Sequence, residues 1–147
     1  MKFLWVFVGL FFSANALAQT KGETQAWIIK QTEVNPPGLK YTIEEDELVI
    51  HFRLPLETIK KAVPISKVKT IFVTHTNGYL SYSLACDSPC TYLLDEPEKK
   101  QPKFLFEIYQ KLDPTFVPRM NKALLHLIRL HGGNASIVKQ DAPKEAF

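Results

Sequence analysis

Between residues 39 and 109 apolar and polar residues alternate again and again with a period of two, which is the period of a strand. Leu39, Tyr41 and Ile43 alternate with Lys40 and Thr42, and Leu48, Ile50, Phe52 and Leu54 alternate with Val49, His51 and Arg53. The acidic run Glu44-Glu45-Asp46-Glu47 turns the chain between them, so the two runs read as an antiparallel hairpin with one buried face. Residues 68–75 are rich in β-branched side chains, and residues 79–86 return from them through Thr76-Asn77-Gly78. An Asn-Gly pair tolerates positive φ at both positions, so this is a second hairpin.

On the returning strand Leu80, Tyr82, Leu84 and Cys86 share one face. Residues 91–94 continue the sheet, and residues 103–109 add a strand with Phe104, Phe106 and Ile108 on one side. Pro55 stops the second strand, and residues 56–62 read as a helical turn. Residues 95–102 are polar, charged and carry two prolines, so an exposed loop is expected there.

Two helices flank the strands. Ala26, Trp27, Ile28 and Ile29 cluster within residues 25–33, and the turn-forming Asn35-Pro36-Pro37-Gly38 ends that segment. Phe116, Met120, Ala123, Leu124, Leu127 and Ile128 make one apolar stripe at helical spacing. Thr115 is placed to cap that helix, Pro118 falls in its first turn, and Gly132-Gly133 stops it.

The expected fold is therefore α+β: a short N-terminal helix, a curved antiparallel meander of about six strands, and a C-terminal amphipathic helix packed on it. Residues 19–133 form the domain and residues 134–147 a flexible tail. This order of elements resembles the pleckstrin-homology-like superfold over about residues 39–131, and the chain as a whole resembles small exported bacterial proteins built strand-then-helix. The resemblance implies a bent sheet capped by a helix. It brings no catalytic residue with it, because fold alone does not assign function.

The first 18 residues have the three parts of a cleavable signal peptide. Lys2 is the basic start, residues 3–12 are an unbroken apolar run, and Ala16-Leu17-Ala18 is a small-x-small cleavage pattern. Cleavage between Ala18 and Gln19 leaves 129 residues, the size of one domain. The apolar run is far shorter than the roughly 20 residues a membrane span needs. The first cysteine is Cys86, so a lipid attached just after the cleavage point is not expected either. The reading is an exported protein, periplasmic before secreted, without a stable membrane anchor.

Export bears on the two cysteines, Cys86 and Cys90, which sit in the run CDSPC. Nearby cysteines pair in an oxidising compartment, and Asp-Ser-Pro between them is turn-forming. A structural disulfide is expected over a redox pair, because thiol oxidoreductases favour a two-residue spacer at a helix N-terminus.

Catalytic constellations are hard to find. The serines after the leader, Ser66, Ser81, Ser83, Ser88 and Ser136, occur in no nucleophile-elbow context. His51, His75, His126 and His131 show no metal-ligand spacing, and the acidic run lacks the alternation and glycine of a calcium loop. Asn134-Ala135-Ser136 is a glycosylation sequon only in a eukaryotic setting. Removing Lys2 with the leader leaves 17 basic residues against 15 acidic ones, a net charge of +2. That balance argues against a nucleic-acid partner.

The expected function is thus non-enzymatic binding of a protein or other partner, with no cofactor and no metal. The candidate contact residues are Trp27, Tyr79, Tyr82, Tyr92 and Tyr109, since Tyr and Trp are enriched at interfaces. Two alternatives stand beside it: a carrier of a small apolar ligand between the sheet and the C-terminal helix, and a small enzyme with a site of dispersed residues.

Overall fold

The structure, a computed structural model, describes residues 20–76, 78–109 and 113–140. The expected signal peptide, with Ala18 and Gln19, lies outside the described residues, as does Asn77. The fold is α+β, with nine strands in two sheets and two helices.

Helix α1, Lys21–Gln31, opens on a capping box in which the Thr20 hydroxyl accepts from the Glu23 amide and the Glu23 carboxylate accepts from the Thr20 amide. A 3-10 turn, Thr32–Val34, ends it just before the prolines. Strands β1 (Leu39–Glu44) and β2 (Glu47–Arg53) form the first expected hairpin, with Glu45 at φ 54° in the turn. Strands β4 (Thr70–Thr76) and β5 (Tyr79–Ala85) form the second, pairing Thr76 with Tyr79 across a turn in which Gly78 takes φ 81°.

Three segments depart from expectation. Residues 58–64, read as part of a helical turn, form β3 (Thr58–Pro64), which pairs with β2 along its length. Residues 96–101, read as loop, form β7 (Glu96–Gln101) beside β6 (Thr91–Leu93). Charge and Pro97 are no obstacle there, because β7 is an edge strand, where lysine and proline discourage further pairing. Residues 136–139, assigned to a flexible tail, form β9 (Ser136–Lys139), which runs parallel to β4.

The expected single meander of about six strands is replaced by two sheets. Sheet A has the order β1-β2-β3-β6-β7, and sheet B has the order β8-β5-β4-β9, with β8 spanning Lys103–Ile108. Because β6 pairs with β3 while its predecessor β5 pairs with β4, the chain passes between the sheets instead of curling through one.

Helix α2, Phe116–Leu130, buries Phe116, Met120, Leu124, Leu127 and Ile128. Thr115 sits at its N-cap position, but its side chain caps nothing; Asp113 instead accepts from the Thr115 amide and hydroxyl. At the other end the Gly132 and Gly133 amides donate back to the Arg129 and Ile128 carbonyls, the Schellman pattern, with Gly132 at φ 85°. Gly133 is also required by space: a Cβ there would lie 2.6 Å from the Ser66 carbonyl oxygen. One buried cluster joins Ile50 and Val63 of sheet A, Ile71, Tyr82 and Phe106 of sheet B, Ile28 of α1 and the buried stripe of α2.

Candidate functional site

The five aromatic candidates are not gathered into one surface. Tyr82 is fully buried and donates to the Asn121 side chain at 2.8 Å, and burial pushes its phenol up. Trp27 stacks on Phe116 at 6.3 Å between ring centroids, with the Arg119 guanidinium over its ring. Tyr92 lies in a row, Thr42, Val49, Ala62, Tyr92 and Lys100, that crosses sheet A. Its hydroxyl donates to Glu47 and the Lys100 ammonium sits 4.2 Å above its ring. Burial, then the Glu47 carboxylate, raises that phenol to about 12.

Only Tyr79 and Tyr109 meet, with centroids 4.9 Å apart, and both donate to the Glu107 carboxylate, at 2.6 and 3.0 Å. Burial raises both phenols, with Glu107 adding to the effect, and Tyr109 reaches about 12. Behind them the outward edge of β8 is closed. The Tyr41 hydroxyl donates to the Leu105 carbonyl and accepts from the Glu107 amide, both at 3.0 Å. The Asn35 amide group donates to the Glu107 carbonyl and accepts from the Tyr109 amide. Side chains from outside the sheet thus take the place of a further strand. This region is a joint, with its polar groups used up internally.

A different corner has charges left over. The chain crosses between the sheets three times: through residues 65–69 from β3 to β4, through residues 86–90 from β5 to β6, and at Pro102 from β7 to β8. All three crossings are held at one end of the sheets. Lys69 donates its amide to the Ala85 carbonyl, Thr91 pairs with Gln101, and Ala85 pairs with Lys103. The second crossing is the CDSPC run, and Cys86 and Cys90 are joined in a disulfide with their Cα atoms 6.1 Å apart.

The crossings enclose a cleft of about 420 Å³. Pro64, Ser66, Lys67 and Lys69 form one wall, the disulfide loop from Cys86 to Cys90 forms the second, and Lys100 of β7 closes it. The backbone beneath is rigidly tied: the Lys69 carbonyl accepts from the Ser136 amide, so β9 braces the wall. The C-terminal close approach at Gly133 supports Ser66 from behind.

The electrostatics of the cleft follow from its composition. Lys67, Lys69 and Lys100 each bring an ammonium with three donors and no acceptor. Among the described residues no carboxylate lies within 4 Å of any of them; the lysines in ion pairs are Lys21, with Asp46, and Lys99, with Glu96. Asp87 is the one acid in the lining. Such an arrangement holds an anion. The serine hydroxyls of Ser66 and Ser88 add neutral donors and acceptors, and no histidine lines the cleft to serve as their base.

The sequence gave one pointer to this place, the CDSPC pair. The lysines come from the separate runs SKVK and EKK, which read as ordinary solvated charge until the crossings bring them together.

Among the described residues no group of three or more His, Cys, Asp or Glu side chains is arranged to hold a metal ion, and no helix is long and apolar enough to cross a membrane. No protein-family model, curated protein or solved structure matches the chain.

Proposed function

We propose that this chain is an exported, non-enzymatic binding domain of the periplasm that takes an anionic ligand in the lysine-lined cleft. The observation that carries the reading is the contrast within the cleft: three ammonium groups from two crossings and an edge strand, with no carboxylate among the described residues to neutralise them at contact distance. Holding like charges together in a fixed concavity costs stability, and a bound anion offsets that cost. The volume of about 420 Å³ falls within the range of small-ligand sites, roughly 300–1,000 Å³.

Export is supported by the leader pattern and by the disulfide, which persists in oxidising compartments. The apolar-carrier alternative draws no support from the face of α2, where Phe116, Met120, Leu124 and Leu127 are spent in the core.

The test is equilibrium binding of a panel of small carboxylates, phosphate esters and sulfate esters to the folded protein and to a Lys67→Glu/Lys69→Glu/Lys100→Glu variant. Saturable binding of at least one class, lost in the variant, supports the reading. Binding that survives charge reversal, or no binding across the panel, overturns it. Recovery of the protein from the periplasm with Gln19 as its first residue tests the export half separately.

A further inference from the structure

We propose that the cleft is a site for a phosphomonoester dianion carried on a small organic body; this rests on the anion-binding reading above and names the ligand's chemistry. Charge is the first argument. Three ammonium groups and the Asp87 carboxylate leave the lining at +2, which matches a dianion and over-compensates a single carboxylate. Donor type is the second. The lining has no arginine, whose planar fork suits carboxylate, whereas lysine ammoniums act as point charges that suit the three oxygens of a phosphoryl group.

Size and surface are the third. A cleft of about 420 Å³ is many times the volume of a phosphoryl group alone, which is of the order of one or two waters at about 30 Å³ each. The remaining space is bounded by Pro64, Pro89 and the disulfide, surfaces without charge that would pack against the ligand's organic part.

The groups facing the ligand are Lys67 and Lys69 on one wall, Asp87 on the disulfide loop and Lys100 on β7, with no histidine among them. Any change in affinity between pH 7 and pH 5 therefore comes from the ligand. A phosphomonoester has its second pKa near 6, so its dianion, and with it the affinity, should fall about tenfold across that interval. A sulfate monoester stays a monoanion throughout and should bind weakly with a flat profile.

The experiment measures binding of glucose 6-phosphate, glucose 6-sulfate and glucuronate to the full folded domain at pH 7 and pH 5. Vesicles containing phosphatidic acid, which exposes the same phosphomonoester, form a parallel arm. Tighter binding of glucose 6-phosphate or of the vesicles at pH 7, with the tenfold loss at pH 5, supports the proposal and tells a soluble ester from a lipid headgroup. Asp87→Asn, an exposed change that leaves the fold intact, should strengthen phosphomonoester binding several-fold by removing a like charge. Glucuronate binding equal to or tighter than the phosphate ester, or a flat pH profile for the phosphate ester, overturns the dianion while leaving anion binding standing. No binding of any probe overturns both.

Discussion

Two corners of this molecule are built from the same kinds of polar side chain and use them in opposite ways. At the edge of β8, Tyr41 and Asn35 satisfy four backbone groups of the strand, and Glu107 takes both tyrosine hydroxyls above it. At the three crossings Lys67, Lys69 and Lys100 face a cleft without an ion pair among the described residues. The first corner would lose stability if a partner were removed, because a buried donor or acceptor would be stranded. The second would lose almost nothing. The difference separates groups kept for folding from groups kept for a ligand.

Substitutions should divide along the same line. The largest effect is expected from Phe106→Ala in the core behind the β8 joint, where a fully buried ring in contact with Tyr41 is removed. About 3–5 kcal/mol of stability should be lost, read by chemical denaturation. Next comes Tyr41→Phe, which keeps the ring but strands the Glu107 amide and the Leu105 carbonyl. A loss of about 1–3 kcal/mol is expected, and a loss below about 0.5 kcal/mol would show that the joint is not held by that hydroxyl.

Opening the disulfide as Cys86→Ala/Cys90→Ala should cost about 2 kcal/mol by loop-closure entropy. It should also weaken anion binding, because one wall of the cleft is the closed loop. Unchanged affinity would detach the loop from the site.

A fourth, smaller effect concerns pH. His131, its side chain fully buried at the end of α2, lies 3.0 Å from Asp46 through Nδ1 and 3.1 Å from the Gln25 amide nitrogen through Nε2. Burial holds its pKa below the usual 6.5, against the pull of Asp46. The unfolded chain therefore takes up the proton first, and stability falls as pH drops through 6.5 toward the folded value. His51, lowered by burial and by Lys60, acts in the same window, whereas Asp46 is lowered from 3.8 and acts only in stronger acid. His131→Gln should flatten part of the decline in denaturation midpoint between pH 7.5 and 5.5; an unaltered slope would contradict this.

The smallest effect belongs to the cleft. Lys67→Ala/Lys69→Ala/Lys100→Ala should change stability by no more than about 0.5 kcal/mol, since these exposed side chains hold nothing in place.

The two hairpins and both helices were readable in the chain because each is specified locally. Alternation marks β1, β2, β4 and β5, Asn77-Gly78 sits at the turn between β4 and β5, and the stripe from Phe116 to Ile128 marks α2. Strands β7 and β9 were not readable. Edge strands need no apolar face, so EPEKKQ carries loop chemistry, and four residues are too few for SIVK to show a period. Strand β3 was obscured by Lys60-Lys61 in the middle of its alternation.

The division into two sheets is a long-range choice, and the cleft exists only because of it. That is why tyrosines, prominent in sequence, dispersed into core and joints, while unremarkable lysines converged. The CDSPC loop was legible as a disulfide and silent about being a wall.

The most direct test of the contrast is a chemical-shift titration of the amide-labelled domain with glucose 6-phosphate at pH 7. The expected result is a saturable shift confined to residues 64–69, 86–90 and 99–101, with Asn35, Tyr41 and residues 105–109 unmoved. Saturable shifts centred on Tyr79, Glu107 and Tyr109 instead, or no shift at either corner, would contradict the assignment of the cleft as the binding site.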